Sequence, residues 1–388
     1  MDITLIVNPG SASKKYALYE KGVEIFSALF ERTEDGYARC VDVHGERQTC
    51  EGATKSGYET ALHDMLDIAI ENGVIKDASR ITRVGIRIVA PGTFFTTHRA
   101  IDSVYVRKLT LVRDSAPLHV PHQLSELTVL RETFPHARII GVSDSAFHAT
   151  MPPEAKRYSI PSKDAREFDL YRFGYHGLSV SSIVRQLGKE GGIPEHTVVC
   201  HVGSGVSVTA VKHGKSVDTT MGFAPTSGLM MGARAGEVDP SAFMYLIRQY
   251  KGNIEKAEKA VSQDGGIKGV LGNSDLRVAL DRASRGDPDA LITISMFIGG
   301  IRKAIAAMSA SMGGIDALVL TGTAPERNPL VREYIFRHFE YLGLILDREK
   351  NETLHTRPGV VSREESRVIA RVVHTQELEE IAQIASVF

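Results

Sequence analysis

The chain has 388 residues, a length that suits two domains better than a single hydrophobic core. Its 46 basic and 47 acidic side chains give a net charge of -1, which excludes a broad electrostatic attraction to nucleic acid or to an anionic membrane. Any anionic ligand must therefore be held by local geometry.

The cysteines and the N-terminal residues indicate in which cell compartment the protein is expected. Cys40, Cys50 and Cys200 contain no CxxC spacing, so they predict neither a disulfide framework nor a metal site. This usage suits a reducing cytosol, and we expect a cytoplasmic protein. The apolar run before Asn8 has five residues, too short for the core of a signal peptide, and no uncharged apolar stretch reaches the length of a membrane span.

Residues 3–30 predict a unit of three strands. An apolar strand ends at a Gly10-Ser11 loop, an alternating strand runs through Tyr16 and Leu18, and a Lys21-Gly22 turn leads into the third strand. Polar, glycine-broken residues 36–57 then predict hairpins and loops at the edge of a domain.

The next predicted elements are a helix over residues 61–70 that ends at Gly73, and a buried strand over residues 84–89. Arg87 interrupts the apolar run of this strand. A buried charge costs free energy unless it is paired or bound to an anion. Both a structural ion pair and an anion-binding role remain open at this stage.

Three polar positions follow in the first half. His119 and His122 have HxxH spacing, but Pro121 argues against a helical metal-binding face, so a metal is the less favoured role. A helix follows them. Residues 138–143 predict another strand, and Asp144 comes directly after it, where open α/β sheets place functional groups.

The second half begins with an aromatic-rich loop, residues 170–177, which contains His176. A helix follows and stops at Gly191-Gly192. A lone histidine is more often a structural group than a catalytic one, so His176 alone does not indicate chemistry.

Residues 197–219 repeat the three-strand plan of the N-terminus. An apolar strand breaks at Gly203-Ser204-Gly205, an alternating strand follows, and a His213-Gly214 turn leads into the third strand. Aligning Asn8 with His201 superposes the two glycine loops, which indicates a duplication. Small residues let backbone N–H groups approach a phosphate, although such a corner is more often a structural turn. The two loops could face a common cleft.

The remaining pattern predicts helices from Pro240, over residues 289–312 and from Pro329, a strand over residues 317–320, a loop over residues 321–328, a strand near residues 368–373 and a C-terminal helix. The helix over residues 289–312 is predicted to be largely buried. The prolines at 152 and 153 mark a domain boundary, so we expect one domain over residues 1–150 with the C-terminal helix of about 378–388, and a second over residues 151–377.

Two familiar nucleotide motifs are missing from this sequence. Residues 214–216 mimic the end of a P-loop, but position 209 is Thr and the segment lies in a predicted hairpin. No GxGxxG follows a strand.

Seven segments together resemble the successive signatures of acetate kinases, in the same order from residue 3 to about residue 385. They are Asn8-Pro-Gly-Ser-Ala-Ser-Lys-Lys15, Ser115-Ala-Pro-Leu-His119, Asp144-Ser-Ala-Phe-His148, Phe173-Gly-Tyr-His-Gly177, His201-Val-Gly-Ser-Gly205, Val217-Asp-Thr-Thr-Met-Gly-Phe-Ala-Pro225 and Leu229-Met-Met-Gly-Ala-Arg234. The family is similar in fold to sugar kinases, actin and heat-shock chaperone ATPases. The resemblance therefore implies an α/β protein of two duplicated βββαβαβα domains around a nucleotide cleft.

The resemblance also implies a role for each matching position. The catalytic residues implied to act on the carboxylate and the transferring phosphoryl group are Arg87, His176 and Arg234, with His119 nearby. Asp144 is implied to orient an arginine or to act at the metal. Those implied to line the phosphate loops or contact the nucleotide are Asn8, Ser11, Ser13, Lys15, His201, Gly203, Ser204, Gly205, Asp275, Leu276, Arg277 and Gly322. A small apolar acyl pocket is implied for Val89, Leu118, Tyr175 and Pro225, and a Mg²⁺ (or Mn²⁺) site for Asn8 and Glu377.

The resemblance implies reversible transfer from ATP to acetate or another short-chain carboxylate, giving acyl phosphate and ADP, by a cytoplasmic homodimer. The sequence departs from the family on the donor side, because Thr323, Ala324 and Pro325 replace a Gly-Ile-Gly loop and Ser204 replaces Asn. Two alternatives therefore remain: the same acceptor chemistry with pyrophosphate or another donor that lacks adenine, and an inactive binding or regulatory homologue. The preferred acyl chain and the direction of flux are left open.

Overall fold

The computed structural model describes residues 3–10, 13–33, 36–47, 50–355 and 357–388. The chain forms two compact units, residues 1–146 with 376–388, and residues 147–375. The sequence placed the first boundary at 150 and began the returning C-terminal segment near 378. Glu377, assigned from sequence to the second domain, belongs to unit 1.

Unit 1 contains the N-terminal three-strand arrangement and a long mixed sheet. Its strands are β1 (Ile3–Pro9), β2 (Ser13–Glu20), β3 (Val23–Thr33), β4 (Gly36–Val43), β5 (Glu46–Arg47), β6 (Glu51–Ala53), β7 (Ile81–Ile88), β8 (Arg99–Ala100) and β9 (Arg138–Ser143). Its helices are α1 (Lys55–Glu59), α2 (Ala61–Glu71), α3 (Ser103–Leu111) and α4 (Val120–Thr133), with the C-terminal α16 (Glu377–Ser386).

Unit 2 contains the second sheet. Its strands are β10 (His196–Val202), β11 (Val206–Lys212), β12 (Lys215–Thr219), β13 (Ala317–Thr321), β14 (Gly359–Val360) and β15 (Ile369–Val372). Its helices are α5 (Pro153–Lys156), α6 (Ser162–Glu167), α7 (Gly177–Lys189), α8 (Pro240–Gln249), α9 (Ile254–Ser262), α10 (Gly266–Leu271), α11 (Leu276–Ser284), α12 (Pro288–Met312), α13 (Thr323–Arg327), α14 (Pro329–Phe336) and α15 (Arg348–Thr353).

The two sheets share one strand order, which confirms the duplication. In unit 1 the neighbours run β3-β2-β1-β7-β9, and in unit 2 they run β12-β11-β10-β13-β15. In both, the first three strands pair antiparallel and the last two add in parallel. The carboxyl ends of parallel neighbours meet at one edge of a sheet, so loops that leave them are brought together within each unit.

Both hairpins close as the sequence predicts. Lys21 and Gly22 have φ values of 50° and 80°, and His213 and Gly214 have values of 49° and 75°. Positive φ at both central residues is the geometry whose twist matches that of the flanking strands. The second position favours glycine because a Cβ is strained there.

The C-terminal helix is part of the unit 1 core. Helix α16 packs on β1 and β7. A Cβ added to Gly85 of β7 would come within 2.9 Å of Ile381 and 3.0 Å of Ala385, both on this helix. The absence of a side chain at Gly85 therefore allows this helix to approach the sheet closely. Glu377 is the first residue of α16, so the packing of this helix places Glu377 near the end of β7.

The structure corrects the expectation that the cysteines form no disulfide. Cys40 and Cys50 are joined, while Cys200 is free and buried. Pairing of β4 with β6 brings the two residues together, a contact that depends on tertiary structure and not on cysteine spacing. The cytoplasmic location therefore has no support from the cysteines, and it stays a prediction.

Two further expectations differ from the structure. Residues 321–328, predicted as a loop, contain the short helix α13. Helix α12 buries one face, including Phe297 and Ile301, but leaves Leu291, Ile292 and Met296 about half exposed. By length and composition α12 would also suit a membrane span, although 44% of its most apolar window is buried within the protein.

Candidate functional site

Arg87 lies near the end of β7, and Asp144 follows β9, its parallel neighbour. The register places Arg87 opposite Val142 and Ile88 opposite Ser143, so the two side chains meet at the sheet edge. Arg87 Nε donates to Asp144 Oδ1 at 3.1 Å and Nη2 donates to Oδ2 at 3.0 Å. This two-point contact fixes the plane of the guanidinium. Arg87 is therefore paired, the first of the alternatives that the sequence left open.

Two more oxygens face the remaining nitrogen of Arg87. Its Nη1 lies 3.3 Å from Glu377 Oε2 and 3.5 Å from Asn8 Oδ1, and Asn8 Nδ2 donates to Glu377 Oε2 at 3.4 Å. Burial alone would lower the pKa of Arg87, but the charges of Asp144 and Glu377 more than offset that effect and raise the pKa above its usual value. Asp144 is 1% exposed, so this cluster keeps its charges largely out of water.

The other positions expected in unit 1 lie near this cluster or on α4. Lys15 is opposite Asn8 in the β1–β2 register, so both side chains are on one face of the sheet, and Ser13 begins β2. Leu118 and His119 directly precede α4, and Gln123 on that helix donates to the Val89 carbonyl at 3.2 Å. Ser11 is outside the described residues.

A second cluster forms in unit 2 around His176. This residue precedes α7 with a left-handed φ of 59°, a conformation that non-glycine residues adopt infrequently. Its Nδ1 lies 2.9 Å from Ser207 Oγ, and its ring centre lies 4.3 Å from that of His201. His201 Nδ1 in turn lies 2.8 Å from Ser179 Oγ. Hydroxyls of β11 and α7 thus orient both imidazoles.

The glycine loop after β10 lies against these rings and against Arg234. Gly203 N donates to Gly205 O at 2.9 Å, which closes the loop. A Cβ added to Gly205 would stand 3.0 Å from His176 Nε2 and 3.4 Å from Arg234 Nη1. Arg234 Nη1 donates to the Pro225 carbonyl at 3.0 Å. Unit 2 therefore gathers a histidine, an arginine and a small-residue loop around one point, which suits an anion.

The expected nucleotide positions extend from the same loop. Gly322 has a φ of 90°, and a Cβ there would lie 2.7 Å from the Val202 carbonyl, so the end of β13 touches the end of β10. A Cβ on Gly232 would lie 3.8 Å from the Ser204 carbonyl and 2.9 Å from that of Ser274.

Asp275 follows Ser274 and caps α11, accepting from Arg277 N at 2.8 Å and from Arg277 Nε at 3.0 Å. Leu276, the first residue of α11, is half-buried. The structure thus connects the 203–205 loop to the 275–277 segment through residues 232 and 274.

The altered donor loop is held by an internal carboxylate. Glu326 Oε1 accepts from Gly322 N at 2.8 Å, from Thr321 Oγ1 at 3.2 Å and from Thr375 N at 3.3 Å. The bond from Gly322 N satisfies an amide group at the start of α13 that the helix cannot satisfy itself. Thr323, Ala324 and Pro325 consequently form a helical turn instead of an open glycine loop.

Sequence reasoning gave no role to three residues that support the unit 2 cluster. Ser207 and Ser179 bind the two imidazoles, and His148 Nε2 lies 3.0 Å from the carbonyl of buried Tyr175, whose hydroxyl donates to Phe223 O at 2.6 Å. Ser207 could have been recognised from the sequence, because it is a polar residue within the buried strand β11 and buried polar groups need a hydrogen-bond partner.

Comparison with known proteins decides the family. The model of the acetokinase family matches residues 3–383. This chain belongs to that family. The kinase is 33% identical to an acetate kinase from a Sulfurovum species over 383 residues, covering 98% of this chain and 97% of the relative. An acetate kinase of Clostridium beijerinckii is 34% identical over 393 residues, covering 96% of both chains.

Solved structures agree. The kinase superposes on a propionate kinase from Francisella tularensis with a TM-score of 0.90 at 28% identity, covering 100% of both chains. An acetate kinase from Porphyromonas gingivalis gives 0.86 at 30% identity, covering 100% of this chain and 99% of that one. The family resemblance and the duplicated α/β fold that the sequence predicts are confirmed. The predicted enzyme class, a phosphotransferase with a carboxyl group as acceptor, is confirmed as well. Nothing in these similarities supports the pyrophosphate-dependent or inactive alternatives.

Replacing Gly205 tests the loop contact within the kinase. Gly205→Ala places a methyl group 3.0 Å from His176 Nε2, so we expect turnover in an acetate kinase assay to fall roughly 10- to 100-fold through misplacement of the ring. Gly188→Ala, in α7 with its nearest neighbour at 3.9 Å, is the matched control and should keep wild-type turnover. Equal activity of the two variants would show that the loop does not constrain His176.

Proposed function

We propose that this kinase reversibly transfers the terminal phosphoryl group of ATP to acetate or another short-chain carboxylate, giving acyl phosphate and ADP. The observation that carries the proposal is the approach of Gly205 to both His176 and Arg234 in a chain of this family. A cation and an imidazole then converge on a loop suited to phosphate.

The chemistry needs charge neutralisation more than a base. The acceptor carboxylate is already ionised near neutral pH, so no proton has to be removed. One carboxylate oxygen attacks the γ-phosphorus, and the bond from that phosphorus to the β–γ bridging oxygen breaks, leaving ADP with the electron pair. The barrier arises because two anions must approach one another, and Arg234 and Arg87 would offset that repulsion.

His176 would act as a hydrogen-bond donor to the phosphoryl group. Its Nδ1 lies 2.9 Å from Ser207 Oγ, and its Nε2 is the ring atom nearest Gly205. If the Ser207 hydroxyl donates to Nδ1, the neutral ring carries its proton on Nε2, the atom that faces the loop. A hydrogen bond from Nε2 to an equatorial phosphoryl oxygen would strengthen as charge develops there.

Removing either arginine tests this function. Arg87→Ala and Arg234→Ala should each lower turnover about 10²–10³-fold, the scale of losing one preorganised charge stabiliser. Acyl phosphate formation from ATP and acetate is the measurement, with circular dichroism to confirm folding. The exposed Arg107 on α3 provides the control variant Arg107→Ala. Near-normal turnover in Arg87→Ala or Arg234→Ala would remove that residue from the mechanism.

We also propose that Mg²⁺, or Mn²⁺ in its place, is bound through Asn8 and Glu377. Hard cations prefer oxygen ligands, and Mg²⁺ in kinases takes one or two protein ligands while phosphate oxygens and water complete its shell. Asn8 Oδ1 and Glu377 Oε2 both face Arg87, so two oxygen donors are available at one point. Among the described residues no group of three or more His, Cys, Asp or Glu could enclose a metal alone, which fits a site shared with phosphate. When bound, the ion would neutralise charge on the β- and γ-phosphates.

The metal assignment predicts a shift in ion requirement. Glu377→Gln should raise the Mg²⁺ concentration for half-maximal activity about tenfold or more, because the carboxylate ligand becomes a neutral amide. Glu379→Gln on the same helix is the control. Titration of Mn²⁺ binding in the presence of ADP, followed by electron paramagnetic resonance, measures the same change without turnover. Lost activity with unchanged ion affinity would assign Glu377 to the positioning of Arg87 alone.

Finally, we propose a homodimer formed through unit 2. Several elements of unit 2 expose large apolar side chains, among them α8 with Met244 and Tyr245 and α12 with Leu291, Ile292 and Met296. Apolar patches of this kind mark association surfaces. Contact with a second copy would remove them from water, whereas a single charge placed there would be costly to bury.

Sedimentation of the purified kinase tests the dimer. Wild-type protein should sediment as a dimer, and Ile292→Lys combined with Met296→Lys should weaken association at least 100-fold. Leu111→Lys, at a residue in unit 1 that is 80% exposed, controls for added charge and should leave the dimer intact. A monomeric wild type, or a double variant that remains dimeric, would contradict this interface.

A further inference from the structure

A small cavity in unit 1 is lined by both cationic and acidic side chains. It has a volume of about 220 Å³, and its lining includes Lys14, Arg32, Tyr37, Tyr58 and His122. Strands β2, β3 and β4 supply the first three of these residues, and helices α1 and α4 supply the other two. The cavity therefore lies between the sheet and the helices that cover it.

Strand alternation separates this cavity from the Arg87 cluster. Lys15 is opposite Asn8 in the register and shares its face, whereas Lys14 is opposite Phe30 and Arg32 is opposite Tyr37. Successive residues of a strand point to opposite faces, so Lys14 and Lys15 lie on different sides of the sheet. Lys14 is thus free of the role implied for Lys15.

The cationic groups are held by aromatic rings. The Arg32 guanidinium lies 5.9 Å from the Tyr37 ring centre and 5.5 Å from that of Tyr58, and Lys14 Nζ lies 5.5 Å from the same Tyr58 ring. The two rings are 5.1 Å apart. These contacts order the cations without neutralising them.

The carboxylates in the lining are already engaged. Buried Glu126 accepts from Tyr16 Oη at 2.7 Å and pairs with Lys14 at 3.4 Å, while exposed Glu59 pairs with Lys55 at 3.8 Å. In the part of the chain that the structure describes, the contacts of the Arg32 guanidinium are with the two tyrosine rings. Burial lowers the pKa of His122, and the charges of Arg32 and Lys14 lower it further, so both cations act on this ring.

We propose that this cavity binds a small molecule through a phosphate or carboxylate group, at a site separate from the one that performs phosphoryl transfer. Arg32 would provide a forked pair of donors to the oxyanion, Lys14 would add charge, and the tyrosine rings would cover the body of the ligand. The volume exceeds that of a bare ion. Binding here does not depend on the proposed reaction.

The histidine in the lining provides a local readout. Orthophosphate and malonate are titrated separately into histidine-labelled protein while the His122 ring resonances are followed by nuclear magnetic resonance, and the variant His122→Asn assigns those resonances. We expect at least one of the two probes to shift them saturably. Saturation by orthophosphate alone identifies phosphate as the preferred group, and saturation by malonate alone identifies carboxylate. Absence of a saturable shift with both probes would overturn the proposal.

Charge-removing variants complete the test. Arg32→Gln should weaken the saturating probe about tenfold or more, and Lys14→Gln should weaken it less, because Lys14 is already paired. Arg107→Gln removes one exposed charge from the same unit and should leave the dissociation constant unchanged. Equal affinity of wild type and Arg32→Gln would show that the cavity is not the binding site. Acetate kinase turnover of Arg32→Gln, measured in parallel, should remain at the wild-type level.

Discussion

The charge of Arg87 is the constraint on which unit 1 depends. A guanidinium at the end of a buried strand is costly unless opposite charges meet it, and Asp144 and Glu377 do so from positions 57 and 290 residues away. Removing one partner of such a pair typically costs about 3–5 kcal/mol, because the other charge stays buried. The ion pairs therefore hold together β7, the end of β9 and the C-terminal helix. Glu377, one of the two carboxylates that balance the arginine, is also one of the two ligands proposed for the divalent cation.

Duplication explains why each unit presents polar groups at one edge of its sheet. In both sheets two parallel strands flank the first strand of the three-strand motif on the same side, so their loops leave at the same edge. Unit 1 uses that edge for Asn8, Arg87 and Asp144. Unit 2 uses it for His201, the 203–205 loop and Gly322. The same backbone plan thus supports two different sets of side chains.

Much of this arrangement could be predicted from the sequence. Strands and helices with strong periodicity, such as β9 and α12, begin and end within one or two residues of their predicted limits, because apolar period and capping are local signals. The motifs that carry the family resemblance also contain most of the residues that form the Arg87 and His176 clusters. Arg87 as a misfit in an apolar strand was a physical signal independent of family, since an unpaired charge is costly there.

The features that escaped prediction all depend on contacts between distant residues. The link between Cys40 and Cys50 requires the pairing of β4 with β6, and the helical turn at α13 requires Glu326 to accept from Gly322 and Thr375. Ser207 could be seen as a polar residue in a strand, but its partner His176 lies on a separate loop. Neither spacing nor composition encodes such pairs, so they became visible only in the folded chain.

Because unit 1 is completed by α16, its assembly during synthesis cannot finish when its first 146 residues have left the ribosome. Until α16 emerges, the face of β7 at Gly85 is uncovered and Arg87 lacks one of its two carboxylates. Unit 2, whose residues are contiguous, can fold while this gap remains. A segment translated after all of unit 2 therefore closes unit 1, and a nascent chain interrupted before residue 377 would expose apolar sheet surface to chaperones and proteases.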